Sequence, residues 1–341
     1  MKRHKERISP LVSFSMCRKD VTQMTITEFS NQVQKYLQNA VEEKSNLAVF
    51  LKDTLQLDHI KSEGVAAIKM QRPDAKYVAT AQDWRKHGYR LKAGTFADAI
   101  KVITSYKEQF FVREGSHIPV AQATSSERQQ ILTGSLPVQE QIKAKMQLVY
   151  DVSQTDCPPA EYSNLKRTEI HNLSVDQRYE LMRALITEKG VNCIGDNEMT
   201  ILDADGYYDS NKDEIHIADG LKDYQKLAAF CECTAACIVG KTTMCSGPIQ
   251  VFEAAYLAMQ LKQMTGVPID DAQFTGAAGL FLQIPERSVK LLDEALTRCR
   301  RASEYVGNDL QEMYRGFMKA QGMDSTLLNT QVAQNFIQDL G

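Results

Sequence analysis

Two adjacent prolines in Cys157-Pro158-Pro159 constrain this chain more than any other feature. Proline has no backbone N–H to donate, and it pushes the residue before it toward extended geometry. Neither a helix nor a central strand therefore runs through the pair. The surrounding stretch 153–170 is rich in Ser, Asn and charged side chains, the composition of a connection. The chain has 341 residues, more than one hydrophobic core usually serves. The break thus reads as a boundary between two domains, expected over 24–160 and 168–310, with a helical extension over 311–341. Residues 1–23 open with MKRHKER and hold no apolar segment followed by a small-residue cleavage site. They read as a basic, mobile tail and not as a secretory leader.

Patterning differs on the two sides of the break. Thr25 and Glu28 have capping-box spacing, and Phe29, Val33, Tyr36, Leu37 and Ala40 follow at helical intervals, which predicts a helix over 26–43. A second helix is expected over 45–57. Shorter elements follow: strands at 77–79, 99–104, 109–113 and 147–152, and a polar helix at 125–132. Past the break come a helix over 174–188 and a hairpin running from Gly206-Tyr207-Tyr208-Asp209 into Glu214-Ile215-His216-Ile217. Helices are then expected over 221–239, 248–265, 272–282, 287–305 and 307–320. The fold class is α+β, with a mixed α/β front domain and a mostly helical back domain holding a small sheet.

Hydrophobic residues make up 43% of the chain and charged ones 24%, as in ordinary globular proteins. No apolar run approaches the length that spans a bilayer, so no membrane partner is expected. Eight cysteines without the spacing of a disulfide scaffold point to reduced thiols and a cytoplasmic setting. Residues 1–160 carry 23 Lys and Arg against 17 Asp and Glu, while the remainder carries 17 against 26. That asymmetry favours a nucleic-acid-facing front half and argues against phosphate binding by the back half.

The segment 71–94 concentrates the relevant chemistry. It holds Arg72, Lys76, Arg85, Lys86, Arg90 and Lys92 against only Asp74 and Asp83, together with Trp84, Tyr77 and Tyr89. Cations follow a phosphate backbone, and aromatic faces stack on bases of any identity, which is the recipe for single-strand binding. The competing interpretation is that Trp84 plugs the core and the cations solvate a hairpin. The run MQRPDAKYVATAQDWRKHGYRLKAG resembles the amino-terminal domain of the ArdC- and LtrC-type proteins, an antirestriction and mobile-element family. Their pattern there is Gln-x-Pro-Asp-Ala, a Trp, then Gly-Arg-x-Val-x-x-Gly-Glu. The likeness continues at Val149-Tyr150-Asp151-Val152-Ser153-Gln154-Thr155, where the family has Val-Phe-Asp/Asn-x-x-Gln. Two departures stand out: His59-Ile60-Lys61-Ser62-Glu63-Gly64 replaces a Tyr-Ser-x-x-Asn stretch, and Gly94-Thr95 replaces Gly-Glu. The resemblance implies DNA binding, chiefly to single strands. Arg85, Arg90 and Lys92 would lie on phosphates, and Trp84 would either stack or brace the site.

The back half resembles the zincin-like domain of the same family, where a Gly-Tyr-Tyr-Asp hairpin, a strand and a Leu-x-x-x-Gln-Lys helix start lead into His-Glu-x-x-His. Two histidines four apart on a helix face one metal, and the intervening Glu polarises the attacking water. Here the context persists through Leu221-Lys222-Asp223-Tyr224-Gln225-Lys226-Leu227, but the motif positions read Cys231-Glu232-Cys233-Thr234-Ala235. Cys231 replaces the first His, Ala235 replaces the second, and Glu232 is left as a vestigial general base. The stripe Tyr224, Leu227, Ala228, Cys231, Ala235 and Ile238 then becomes a plain packing face. An altered zinc site would have to be assembled from Cys231, His216, Glu253 or Cys245. Glu253 lies one position closer to its Ala-Tyr pair than the family's ligand, which turns it by about 100° on a helix. Cys231 and Cys233 point about 200° apart on a helix, Cys233 and Cys237 lack two further ligands, and His171 and His216 read as ordinary polar residues.

The expected function is a non-enzymatic, antirestriction- or anti-defence-like, DNA-binding accessory protein of a plasmid, phage or conjugative element, with single-stranded DNA as the chief partner, double-stranded DNA as the alternative, and no cofactor. The alternatives are a metallopeptidase-like enzyme with a Cys/Glu zinc site, or a scaffold that binds a host restriction or defence protein.

Overall fold

The computed structural model describes residues 24–162, 165, 168–196, 205–242 and 247–320. The basic tail, Cys245 and the stretch beyond 320 lie outside the described residues. The fold is α+β and divides into two compact units. One comprises the chain up to Leu37 with Glu63–Pro159, and the other Gln38–Ser62 with the chain from Ala160 on. The front domain expected over 24–160 is thus interrupted. Its second helix, whose Leu47, Phe50, Leu51 and Leu55 are buried, packs within the second unit.

Helix α1 (Ile26–Glu42) begins as its sequence dictates, with the Thr25 N–H donating to Glu28 Oε2 at 2.8 Å and the Glu28 N–H to Thr25 Oγ1 at 3.3 Å. Helix α2 (Lys44–Gln56) follows, and then α3 (Ser62–Gln71), which the periodicity does not reveal. Val65, Ala66, Ala67, Ile68 and Met70 are all buried, so α3 has no polar face from which to read a helical period.

The first unit's sheet has the order β1-β4-β2-β3, antiparallel throughout. β1 (Val78–Ala79) leads into α4 (Ala81–Lys86), then β2 (Ile100–Arg113), β3 (Ser116–Pro119), α5 (Ser125–Leu132) and β4 (Gln139–Asp151). The two short strands expected at 99–104 and 109–113 are one strand of 14 residues. β2 and β4 pair from Ile100 with Val149 out to Phe110 with Gln139. Inner-end residues such as Ile100, Val102, Val149 and Tyr150 are buried, whereas the middle of the ribbon is open to solvent. Glu114 and Gly115, both at positive φ (48° and 79°), form the two-residue turn into β3, as the right-handed twist of a hairpin favours.

In the second unit, α6 (Val175–Glu188) is capped by Ser174. The sheet order is β5 (Asn192–Asp196), β7 (Glu214–Ala218), β6 (Gly206–Asp209), with β5 parallel and β6 antiparallel to β7. β5 escapes a sequence search because Asn, Gly and Asp are poor strand formers, and its pairing with β7 decides it. Helices α7 (Asp223–Thr242), α8 (Pro248–Thr265), α9 (Asp271–Leu282) and α10 (Val289–Ala320) complete the unit. The helices expected over 287–305 and 307–320 are one helix of 32 residues. Gly307 costs it about 1 kcal/mol. The buried stripe Leu296, Cys299, Val306, Leu310, Tyr314 and Met318 runs straight past that glycine and offsets the cost.

α7 is more deeply buried than one packing stripe would make it. Leu227, Phe230, Cys231, Thr234 and Ala235 are fully enclosed, while Tyr224, expected on the inner stripe, is 41% exposed. Gly206 on β6 permits this closeness: a methyl there would sit 2.9 Å from both Cys233 Sγ and Ile217 Cδ1.

Candidate functional site

The two sequence blocks that carry the family resemblance in the front half meet in space. Val78 pairs with Asp151 and Ala79 with Tyr150. Asp151 is 2% exposed, and its Oδ1 accepts the N–H groups of Lys76 (2.8 Å) and Tyr77 (3.3 Å). Its Oδ2 accepts the N–H (3.0 Å) and hydroxyl (2.5 Å) of Ser153. Gln71 behaves like one more strand residue, donating to the Lys101 carbonyl at 2.7 Å and accepting the Lys101 N–H at 3.0 Å. Much of the motif therefore exists to lock a buried polar junction, since each N–H withdrawn from water needs a partner.

Trp84 belongs to that junction. It is fully buried, and its indole N–H donates to the Tyr150 carbonyl at 2.9 Å, with the Tyr77 ring 5.3 Å away. No face of the ring is open to a base, which corrects the stacking role; the indole instead braces the junction of β1 and β4. The cations divide as well. Arg72 is only 19% exposed at its side chain and leans on Asp74 at 3.7 Å, so it is not an open contact. Lys86 pairs with Asp83 at 2.8 Å, with both side chains well exposed. Lys76, Arg85 and Arg90 are exposed, and among the described residues no hydrogen bond or ion pair occupies the guanidinium of Arg85 or Arg90. Lys92 is exposed and donates to the Ser153 carbonyl at 3.0 Å.

Segment 90–98 is fixed along 150–156. The Arg90 N–H donates to Asp156 Oδ1 at 2.7 Å, Leu91 bridges Thr155, and the Lys92 N–H donates to the Gln154 carbonyl at 3.0 Å. The Gln154 amide in turn donates to the Asp98 carbonyl at 2.9 Å. Arg90 and Lys92 are therefore presented from a backbone held in place, a favourable arrangement for contacts with a charged polymer.

In the second unit, Cys231 and Ala235 are both fully enclosed. The Cys231 sulfur lies 3.6 Å from Thr265 Oγ1 on α8 and 3.9 Å from Met182 Sδ on α6. Burial pushes its thiol up to about 12, and does the same for Cys233. Glu232 points the other way. Its carboxylate accepts a 2.5 Å hydrogen bond from Lys262 Nζ on α8, whose side chain is only 3% exposed against 56% for Glu232. Lys262 was missed in the sequence; the available signal is a lone cation inside an otherwise apolar helical stretch. The pair lines a groove of about 380 Å³ whose other walls include Ala254, Ala255, Ala258, Gly276 and Ala277.

Glu253 is 1% exposed and faces α10, where Oε1 accepts from Arg298 Nε at 2.8 Å and Nη2 at 2.5 Å. It lines a different cavity, of about 460 Å³, with Leu185, Cys237 and Tyr305. His216 stacks on Tyr207 with ring centroids 4.5 Å apart, and its Nε2 lies 3.3 Å from Glu214 Oε2. His171 accepts the Thr168 N–H at 3.1 Å and caps a short turn. The candidate ligands are not brought together: among the described residues no three His, Cys, Asp or Glu side chains gather in a geometry that could hold a metal. An alanine methyl, a buried neutral thiol and a carboxylate already neutralised by an ammonium do not fit a zinc ion.

No protein-family model matches the chain. An uncharacterised protein of Bacillus anthracis is 25% identical over 170 residues, covering 48% of this chain and 28% of that protein, so the likeness spans less than a third of the relative's length. The metal-free crystal structure of the antirestriction protein ArdC from a plasmid is similar with a TM-score of 0.46 and 13% identity, covering 73% of this chain and 85% of that one. A likeness at that level assigns neither fold nor activity.

Proposed function

We propose that this chain is a non-enzymatic, DNA-binding accessory protein of a mobile genetic element, antirestriction-like in its biological setting and acting chiefly on single strands. The observation that carries this proposal is the held edge of the first unit, from which Arg85, Arg90 and Lys92 project into solvent. The residues of the second unit support it from the other side. The residue nominated as a general base, Glu232, is paired with Lys262, and the helix position expected to bear a second metal ligand is Ala235. Among the described residues no helix is long and apolar enough to cross a membrane.

The test is a salt titration of full-length protein with fluorescent single- and double-stranded DNA of equal length. Three phosphate contacts on a single strand give a slope of log K against log salt of about −2. Replacing Arg85 and Arg90 together by Ala should reduce that slope by about 1.4, with no loss of folding. Absence of binding to either form at low salt would sink the proposal.

A further inference from the structure

With Trp84 sealed in the core, single-strand binding on the proposed edge needs another ring, and the first unit holds one out. Phe96 is 65% exposed, and no other Phe, Tyr or Trp side chain among the unit's described residues is as open to solvent. It sits in a short turn (Thr95–Asp98) entered through Gly94 at φ 83°, a left-handed conformation that glycine adopts without strain. Gln154 clamps both ends of this turn: its backbone carbonyl accepts from the Lys92 N–H, and its side-chain amide donates to the Asp98 carbonyl. The Thr95 hydroxyl adds a 2.7 Å bond to the Lys92 carbonyl. Beneath the turn, Phe96 meets the Tyr150 ring edge-on at 6.0 Å, and Tyr150 is the residue whose carbonyl Trp84 holds. The buried indole therefore braces the platform on which the exposed phenyl stands. Between residues 84 and 98 the chain carries four cations, Arg85, Lys86, Arg90 and Lys92, against the single carboxylate of Asp98.

We propose that Phe96 is the base-stacking residue of this edge, receiving an unpaired base of single-stranded DNA while Arg90 and Lys92 hold the flanking phosphates. The assignment rests on the DNA-binding function proposed above. A clamped turn loses little freedom on binding, and a phenyl face stacks on any base, so the contact selects for unpaired strands without selecting a sequence.

Phe96→Ala and Phe96→Trp, with the full chain as the background, separate the two proposals. Anisotropy titrations would use a fluorescent oligo-dT and a blunt duplex of the same length across a salt series. Phe96→Ala should weaken oligo-dT binding about 10- to 100-fold with an unchanged salt slope, because no cation is lost, and should leave duplex binding nearly unaltered. Phe96→Trp should restore affinity, and its exposed indole should be quenched as oligo-dT saturates the protein. The buried emission of Trp84 serves as the folding control. If the wild-type chain binds oligo-dT and Phe96→Ala binds it equally well, or loses single- and double-strand affinity alike, the stacking role is overturned while the DNA-binding function stands. If the wild-type chain binds neither, both are overturned.

Discussion

Asp151 and Trp84 both lie in the quoted motifs, yet each serves the protein's own backbone rather than a ligand. Asp151→Ala would leave the N–H groups of Lys76, Tyr77 and Ser153 without their shared acceptor. The expected loss is about 3 kcal/mol, read as a shift in the urea midpoint, and a shift of under about 1 kcal/mol would show that water replaces the carboxylate. At the other pair, asymmetry is expected. Glu232→Ala strands the enclosed Lys262 ammonium and should cost about 1–2 kcal/mol, less than a fully buried pair because water already screens Glu232. Lys262→Met removes the charge and keeps the volume, so thermal unfolding should be nearly unchanged; equal losses from both variants would contradict this account. Sequence alone singled out Glu232. It could not find Lys262, because which side chain meets Glu232 depends on how α7 and α8 pack.

Individual elements carry their own determinants. The N-terminus of α5 is closed by a capping box in which Thr124 and Glu127 exchange hydrogen bonds, and Glu127 also takes Arg113 from β2 at 2.7 and 2.5 Å. The Arg113 hydrogen bonds, and then those from Thr124, hold the Glu127 carboxyl at about 2, well below its usual 4.5. A carboxyl depressed in the folded state contributes stability that is complete above its unfolded value and is lost as pH falls toward its folded one. Glu127→Gln should therefore flatten the acid limb of stability between pH 4.5 and 2 while leaving the slope near neutrality alone; an unchanged acid limb in circular dichroism would refute the link. Gly206→Ala forces a methyl against Cys233 and Ile217, and overpacking of this kind costs about 1–3 kcal/mol. Thermal unfolding would register it, and no loss would mean that β6 shifts freely. Capping signals for α1 and α6 were legible in the sequence because they are local. The length of β2 and the existence of α3 and β5 were not, because pairing or complete burial decides them.

At the scale of the whole chain, cysteine chemistry distinguishes a packed interior from a working site. Cys157, Cys231, Cys233, Cys237 and Cys299 are all buried, and burial raises the thiols of Cys231, Cys233, Cys237 and Cys299. Alkylation at pH 8 should label none of these five in the folded protein and all of them in urea, as read by peptide mass mapping; rapid native labelling of Cys231 would instead indicate an open site. By itself the sequence determined the α+β class, the run of Cys231, Glu232 and Ala235 along α7 and the cationic character of residues 71–94. These follow from local pattern and residue chemistry, which require no knowledge of distant neighbours. Only the tertiary structure assigned 38–62 to the second unit, turned Trp84 inward and Phe96 outward, and set Lys262 against Glu232 and Arg298 against Glu253. For Trp84, Lys262 and Arg298 the deciding contact joins residues far apart in the chain, and the cost of leaving a buried polar group unpartnered selects the arrangement.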